Sequence, residues 1–342
     1  KMHVVQKKHI EWSKIHEYQH LFKTPIFEKY WCSSTLLEKR NTAPLFQRER
    51  ATSMALSIFT IAATSCDEPD AKNTDLHDIP ESTGNKALDQ LLAQCDHEYI
   101  TTYETDSFYG MCERWYDKLE KAIESTEQQP ADSHRENSGL ARLEWRMARV
   151  AHYLAKAVDE ASASPEKLER KKQLIFEALE HAQRSKDLDP ELWAAHKWVA
   201  VTLFGSADFE GIKRKIIMSY TIKEHFEAAL RLCPDCDATT HHLMGIWCFV
   251  FADMPWYQRK LASTLLAKPP SSTYDEALQH FLEAEKIDKD FYIRNVVMIG
   301  KCYYAKGNYH KAKKALEHAK TMPITNQDDQ ESIKEANDIL YK

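Results

Sequence analysis

Few side-chain groupings in this sequence have spacings that could do chemistry. The sharpest is Cys233-Pro234-Asp235-Cys236, followed by His241 and His242. Two cysteines separated by two residues suit thiol–disulfide exchange or half of a zinc site. Zinc needs four ligands in tetrahedral reach, and a thioredoxin-type pair needs a preceding strand and a helix N-terminus that lowers a thiol pKa. This motif follows Leu230 and Leu232, inside a helical apolar pattern, so the strand is missing. The reading favours a plain turn with reduced thiols. The eight scattered cysteines fit a cytosol-facing protein better than a disulfide framework. A second grouping is basic and aromatic. Residues 254–270 hold Trp256, Tyr257, Arg259, Lys260 and Lys268 with no acidic side chain, and Lys213, Arg214 and Lys215 lie earlier in the sequence. Such local positive density suits an acidic protein surface or an anionic phospholipid headgroup. Packing of Trp256, Tyr257 and Leu261 onto the fold is the plainer alternative. No phosphate-cradling glycine loop, dinucleotide fingerprint or HExxH pair is present, so neither a catalytic residue nor a cofactor is expected.

Composition narrows the elements that could position these groups. Glycine supplies 8 of 342 residues, far below the usual ~7%, which disfavours glycine-turned barrels, sandwiches and doubly wound sheets. Hydrophobic residues make up 43% and charged residues 29%, enough for a packed core. The net charge of −6 argues against a nucleic-acid partner. The apolar run 54–63 is well short of the ~20 residues needed to span a bilayer, so no transmembrane anchor is evident. Residues 64–86 are polar with two prolines, a linker composition. The expected division is an N-terminal extension and linker over 1–85, partly disordered, and a helical repeat domain over 86–342.

The repeat can be read by subtraction. Phe226, Ala229 and Gly245 recur as Phe281, Ala284 and Gly300, each shifted by 55. Tyr274, Ala277, Phe281 and Ala284 recur as Tyr309, Ala312, Leu316 and Ala319, each shifted by 35. This matches the ~34-residue period of tetratricopeptide repeats. Gly245, Ala284, Gly300 and Ala319 are expected to let antiparallel helices approach, with Tyr303, Tyr309 and Leu316 filling the space between. Pro190 and Pro234 close repeats, the helix after Phe209 is lengthened, and an insertion separates Gly245 from Tyr274. Thr273 and Glu276 form a capping-box pair for the next helix. The predicted fold is an all-α, right-handed, tetratricopeptide-like solenoid. A hairpin precedes the repeats, with Tyr109, Cys112, Tyr116, Leu119 and Ile123 on one helix face. A polar helix from about Asp328 closes the stack.

The stretches Ala194–Trp198, Gly211-Ile212-Lys213, Met244–Phe249, Ala252–Arg259 and Lys268–Tyr274 resemble the regulator of microtubule dynamics family. The resemblance covers roughly residues 86–342 and is strongest from 190 to 285. It implies a non-enzymatic helical-repeat protein of the cytoplasm that associates with microtubules at cytoskeleton and spindle, influences their dynamics and chromosome segregation, and contacts tubulin or another acidic surface. It also implies an alternative: a phospholipid-binding, transfer or tethering module at contacts between mitochondria and endoplasmic reticulum. That reading requires an open apolar groove lined by residues such as Trp198, Met244, Trp247 and Phe251.

Overall fold

Apolar stripes at helical spacing, broken by short polar caps, produce the α-helices of the described residues, with a 3₁₀ turn at Ala207–Phe209, and eleven of these helices have defined bounds. They are α1 (Lys86–Thr102), α2 (Phe108–Glu127), α3 (His134–Lys156), α4 (Pro165–Leu188), α5 (Trp193–Ser206), α6 (Gly211–Leu232), α7 (Ala238–Asp253), α8 (Tyr274–Ile287), α9 (Ile293–Ala305), α10 (Tyr309–Ala319) and α11 (Gln327–Leu340). The computed structural model describes residues 83–103, 105, 107–128, 134–158, 164–209, 211–256, 259–260 and 270–341, and no strand occurs among them. The expected N-terminal extension lies outside the described residues except for its last three.

Each helix start has a physical cause. Asn85, Ser164, Asp237, Asn308 and Asn326 accept backbone N–H bonds as N-caps of α1, α4, α7, α10 and α11, satisfying donors the first turn leaves orphaned. Pro165 occupies the first turn of α4, where its missing N–H costs nothing. Thr273 and Glu276 make the anticipated reciprocal capping box on α8. Gly307 turns the chain between α9 and α10 at φ 74°, a conformation that favours glycine.

The helices pair in sequence as α1–α2, α3–α4, α5–α6, α7–α8 and α9–α10, and α11 packs on the last pair. The second helix of each hairpin also meets the first helix of the next. This nearest-neighbour stacking defines a tetratricopeptide-like α-solenoid. The insertions fall where the repeat arithmetic puts them. Helix α6 has 22 residues against 11 in α10, and twenty residues (254–273) separate α7 from α8.

The four small residues are buried as expected: Ala284 and Ala319 have no exposed surface, and Gly245 and Gly300 are buried too. A Cβ at Gly245 would lie 2.7 Å from Phe281 Cε1, and one at Gly300 2.6 Å from Leu316 Cδ2. Gly245→Val therefore pushes a branched side chain into a fully buried ring. The expected loss is about 1–3 kcal/mol from overpacking, read as a lower urea midpoint. Unchanged stability would show that α7 and α8 need no close approach.

Two packing expectations are corrected. Tyr309 is 64% exposed and lies against Tyr304, with ring centroids 5.3 Å apart, instead of filling the hairpin. It is the first residue of α10, and the inward stripe runs through Ala312, Leu316 and Ala319. On α2, the buried stripe is Phe108, Met111, Cys112, Trp115, Leu119 and Ile123, leaving Tyr109 exposed. The stripe is rotated by about one residue because Trp115 supplies the bulk that Tyr116 was expected to provide.

Candidate functional site

The inserted segment leaves the end of α7 through Met254 and Pro255. Trp256 follows, 75% exposed, the most solvent-facing tryptophan among the described residues. Three residues on, the Arg259 guanidinium turns back and donates through Nη2 to the Met254 carbonyl at 3.2 Å and the Phe251 carbonyl at 3.4 Å. A cation here satisfies carbonyls orphaned at a helix C-terminus. Lys260 beside it is exposed. The structure thus gathers Trp256, Arg259 and Lys260 on one short segment, with Arg259 holding it to α7. Arg214 is half-buried on the first turn of α6. The side chains of Lys213 and Lys215 lie outside the described set, as do Tyr257 and Lys268 altogether.

The four residues expected to line a groove sit in the packed interior instead. Trp198, Met244, Trp247 and Phe251 all belong to the main core and are 1–7% exposed. Trp247 donates Nε1–H to the Ser219 carbonyl at 2.9 Å and packs on Phe251, with centroids 4.4 Å apart. Trp198 lies edge-on to His152 and Tyr153. The cause is legible in the helices: α5 and α7 are apolar on nearly every face, and such helices are covered all round. A separate open cleft of about 710 Å³ lies between α2, the end of α3 and the start of α4. Leu154, Val158 and Leu174 line it together with Glu113, Asp117, Lys167 and Arg170. One of its cations, Arg170, is already paired to Glu177 at 3.1 Å.

Between the repeats runs a layer of buried charge. Asp96 on α1 receives Nε–H of Arg146 at 3.0 Å and Nη2–H of Arg149 at 2.8 Å, both from α3. Burial alone would raise the Asp96 pKa, but the two guanidinium charges outweigh it and hold the carboxyl below its ordinary value. Lys197 on α5 pairs with Asp237, the N-cap of α7, at 3.0 Å, both almost wholly buried. Arg294 on α9 and its N-cap residue Tyr292 both engage Asp328 of α11. Two imidazole pairs also link neighbouring helices, α5 to α6 and α7 to α8. His196 Nδ1 meets His225 Nδ1 at 2.9 Å, and His241 Nδ1 meets His280 Nδ1 at 3.2 Å. In each pair the first histidine also donates Nε2–H to the carbonyl of the preceding proline, Pro190 or Pro234, at 3.0 Å. His241 is thus engaged with His280 and Pro234, and no group of three or more His, Cys, Asp or Glu side chains suited to a metal occurs among the described residues. The repeat arithmetic missed these pairs although it contained them, for His225 and His280 share the shift of 55 found for Phe226 and Phe281.

Over residues 108–342 the sequence matches the family model described as regulator of microtubule dynamics protein 1-3. The chain belongs to the regulator of microtubule dynamics family. Regulator of microtubule dynamics protein 1 of Mus musculus is 40% identical over 253 residues, 74% of this chain and 74% of its own length. The Homo sapiens protein of the same description is 45% identical over 57% of this chain and 60% of its own length. Regulator of microtubule dynamics protein 3 of Xenopus laevis is 34% identical over 57% of this chain and 41% of its own length. The chain therefore spans less than two thirds of several of its relatives. Among solved structures, a thermophilic tetratricopeptide-repeat protein of Thermus thermophilus is similar over 74% of the chain, at 14% identity and a TM-score of 0.43. The regulator of microtubule dynamics match begins at Phe108, the first residue of α2, and includes the inserted segment with Trp256. No described helix is long and apolar enough to cross a membrane.

Proposed function

We propose that this protein is a non-catalytic scaffold that meets microtubules, or another acidic protein surface, through the segment inserted between α7 and α8. The observation that carries the proposal is Trp256. A large apolar side chain held 75% exposed beside an exposed Lys260 has the composition of a protein-contact point. The overall charge of −6 makes a basic, aromatic segment a local exception suited to an acidic partner. The relatives' descriptions as regulators of microtubule dynamics support tubulin as that surface. A role at the spindle and in chromosome segregation follows from this reading. We do not extend it to phospholipid transfer: Trp198, Met244, Trp247 and Phe251 are buried among other core side chains, and no observation favours the lipid reading.

Co-sedimentation with microtubules tests the proposal. Binding at low salt that weakens as salt rises is expected, because exposed charges are screened within a Debye length of ~10 Å at 0.1 M. Trp256→Ala and Lys260→Glu are each expected to weaken pelleting several-fold, with far-UV circular dichroism confirming that each variant keeps the helical fold. Arg259→Glu is a poorer probe, since it also removes the bonds to the Phe251 and Met254 carbonyls. Failure of the full chain to pellet at low salt would overturn the reading.

A further inference from the structure

The structure pairs Cys233 with Cys236 as a disulfide, which corrects the expectation of reduced thiols at this motif. We propose that this pair is a reversible thiol–disulfide exchange site whose co-reactants are low-molecular-weight thiols such as glutathione.

The repeat supplies its own control. Three junctions join the second helix of one hairpin to the first helix of the next by the same closing bond. Asp189 N–H donates to Ser185 O at 3.0 Å, Cys233 N–H to Ala229 O at 2.9 Å, and Asp288 N–H to Ala284 O at 3.0 Å. Adding 55 to Cys233, Cys236 and Asp237 gives Asp288, Phe291 and Tyr292. Asp237 and Tyr292 are both N-caps in extended conformation, at φ −155° and −152°. The α8–α9 junction thus builds a turn of equal length with no sulfur in it. The two turns differ at Asp290, which adopts φ 59° where its counterpart Asp235 does not. A bond the repeat can dispense with, across so short a loop, constrains the unfolded chain little. Its retention as a structural staple is therefore not required by the fold.

Accessibility separates this pair from the other thiols described. Cys95, Cys112, Cys248 and Cys302 are free and buried. Burial raises all four thiols, Cys248 to about 11 and Cys112 and Cys302 to about 12, which leaves little thiolate for exchange. Cys233 is half-buried between exposed Arg231 and exposed Pro234, whereas Cys236 is 3% exposed. An external thiolate attacks the Cys233 sulfur. The S–S bond breaks, and Cys236 leaves as a thiolate that takes a proton from water. A second external thiolate then attacks the mixed disulfide, releasing Cys233 as a thiolate that also takes a proton from water, and the two small thiols leave as their own disulfide. Two electrons pass to the protein, and oxidised glutathione reverses the sequence. The junction is well placed to transmit the change. Pro234 accepts from His241, and Asp237, next to Cys236, is the buried partner of Lys197 two helices earlier.

The test equilibrates the intact chain in a series of reduced and oxidised glutathione mixtures, quenches with acid, alkylates, and counts labels on the Cys233–Cys236 peptide by mass spectrometry. The expected result is a single transition from no label to two, identical in both directions, with far-UV circular dichroism unchanged throughout. The Cys233→Ser/Cys236→Ser variant is expected to unfold cooperatively at the midpoint of the reduced wild type. Two labels in every mixture, or a persistent glutathione adduct, would overturn the site. So would reduction that occurs only as the chain unfolds, or a double variant that fails to fold, since either makes the bond a structural requirement.

Discussion

Asp96→Leu is expected to cost about 3–5 kcal/mol of folding free energy, the penalty for leaving buried cations without their counter-ion. The Asp96 carboxylate is the charge partner of both Arg146 and Arg149, and all three residues are at most 3% exposed. Aromatic faces assist, with the Arg149 guanidinium 4.0 Å from the Tyr99 ring centre and that of Arg146 4.1 Å from Trp145. Rings cannot replace a full negative charge. Asp96→Asn preserves shape and loses charge, so an intermediate loss is expected. The informative variant is Asp96→Leu combined with Arg146→Leu and Arg149→Met. Replacing a buried ion group by apolar residues of similar size is often neutral or stabilising, so the triple variant should recover most of the lost stability. Guanidinium denaturation reads each value, and a loss below about 1 kcal/mol for Asp96→Leu would show that the pairing is not maintained in solution. The experiment also bears on domain extent. Helix α1 precedes the family match, which begins at Phe108, and Asp96 is its principal polar tie to α3. A large loss supports our proposal that the folded unit starts near residue 86.

The sequence made the helical repeat legible because its signals are local and steric. Gly245, Gly300, Ala284 and Ala319 sit at fixed offsets, and small residues at fixed offsets have few causes other than close helix contact. Thr273 with Glu276 announced the start of α8, and the spacing between Gly245 and Tyr274 announced the insertion. Resemblance gave the family, and the residues carrying it include the insertion. Three-dimensional polarity was less legible. Arg142, Arg146 and Arg149 recur at i, i+4 and i+7 through the apolar stripe of α3, a pattern that reads equally as one solvated edge until Asp96 is seen opposite. Trp198, Met244, Trp247 and Phe251 read as groove residues because a solenoid has a concave face. Whether that face is open depends on what neighbouring hairpins lay over it, and helical periodicity carries no such information. Of the basic cluster, Arg259 illustrates the same limit: its charge was visible in the sequence, but its use as a helix C-terminal cap was not.

Acidification from pH 7 to pH 4 is expected to destabilise the fold by roughly 5–8 kcal/mol, comparable to the whole stability of many domains. Three histidines carry most of the effect, and His196, also lowered chiefly by burial, adds to it. Burial pushes His242 down to about 4, partly opposed by its bond to Asn295. Burial, and then the neighbouring imidazole, does the same to His225 and His280, each to about 4. The unfolded chain takes up these protons near the ordinary histidine value of ~6.5, and the folded chain takes them up only near 4. The histidine contribution to stability is therefore complete above about 6.5, falls as pH drops toward 4, and changes no further below. A full shift of that size is worth about 3 kcal/mol per group at ~1.4 kcal/mol per unit, discounted for the partly exposed His225 and His280. Burial is the main reason the folded state resists protonation, and the pairs add to it by opposing a second proton. His196 and His241 each commit Nε2–H to a proline carbonyl, so in the neutral form Nδ1 accepts from the partner ring. A doubly charged pair would set N–H against N–H at about 3 Å and lose that bond. The carboxylates act mostly in a lower range: Asp96 and Asp237 are held below their ordinary values and lose their contribution only in stronger acid. Glu285, raised by burial, works in the opposite direction and trims the slope. Urea midpoints at pH 7, 6, 5 and 4 measure the curve. His225→Gln/His280→Gln should flatten it between pH 6.5 and 4 by more than half of their share. A wild-type curve that is flat across that window would show that the imidazole pairs take up protons without cost.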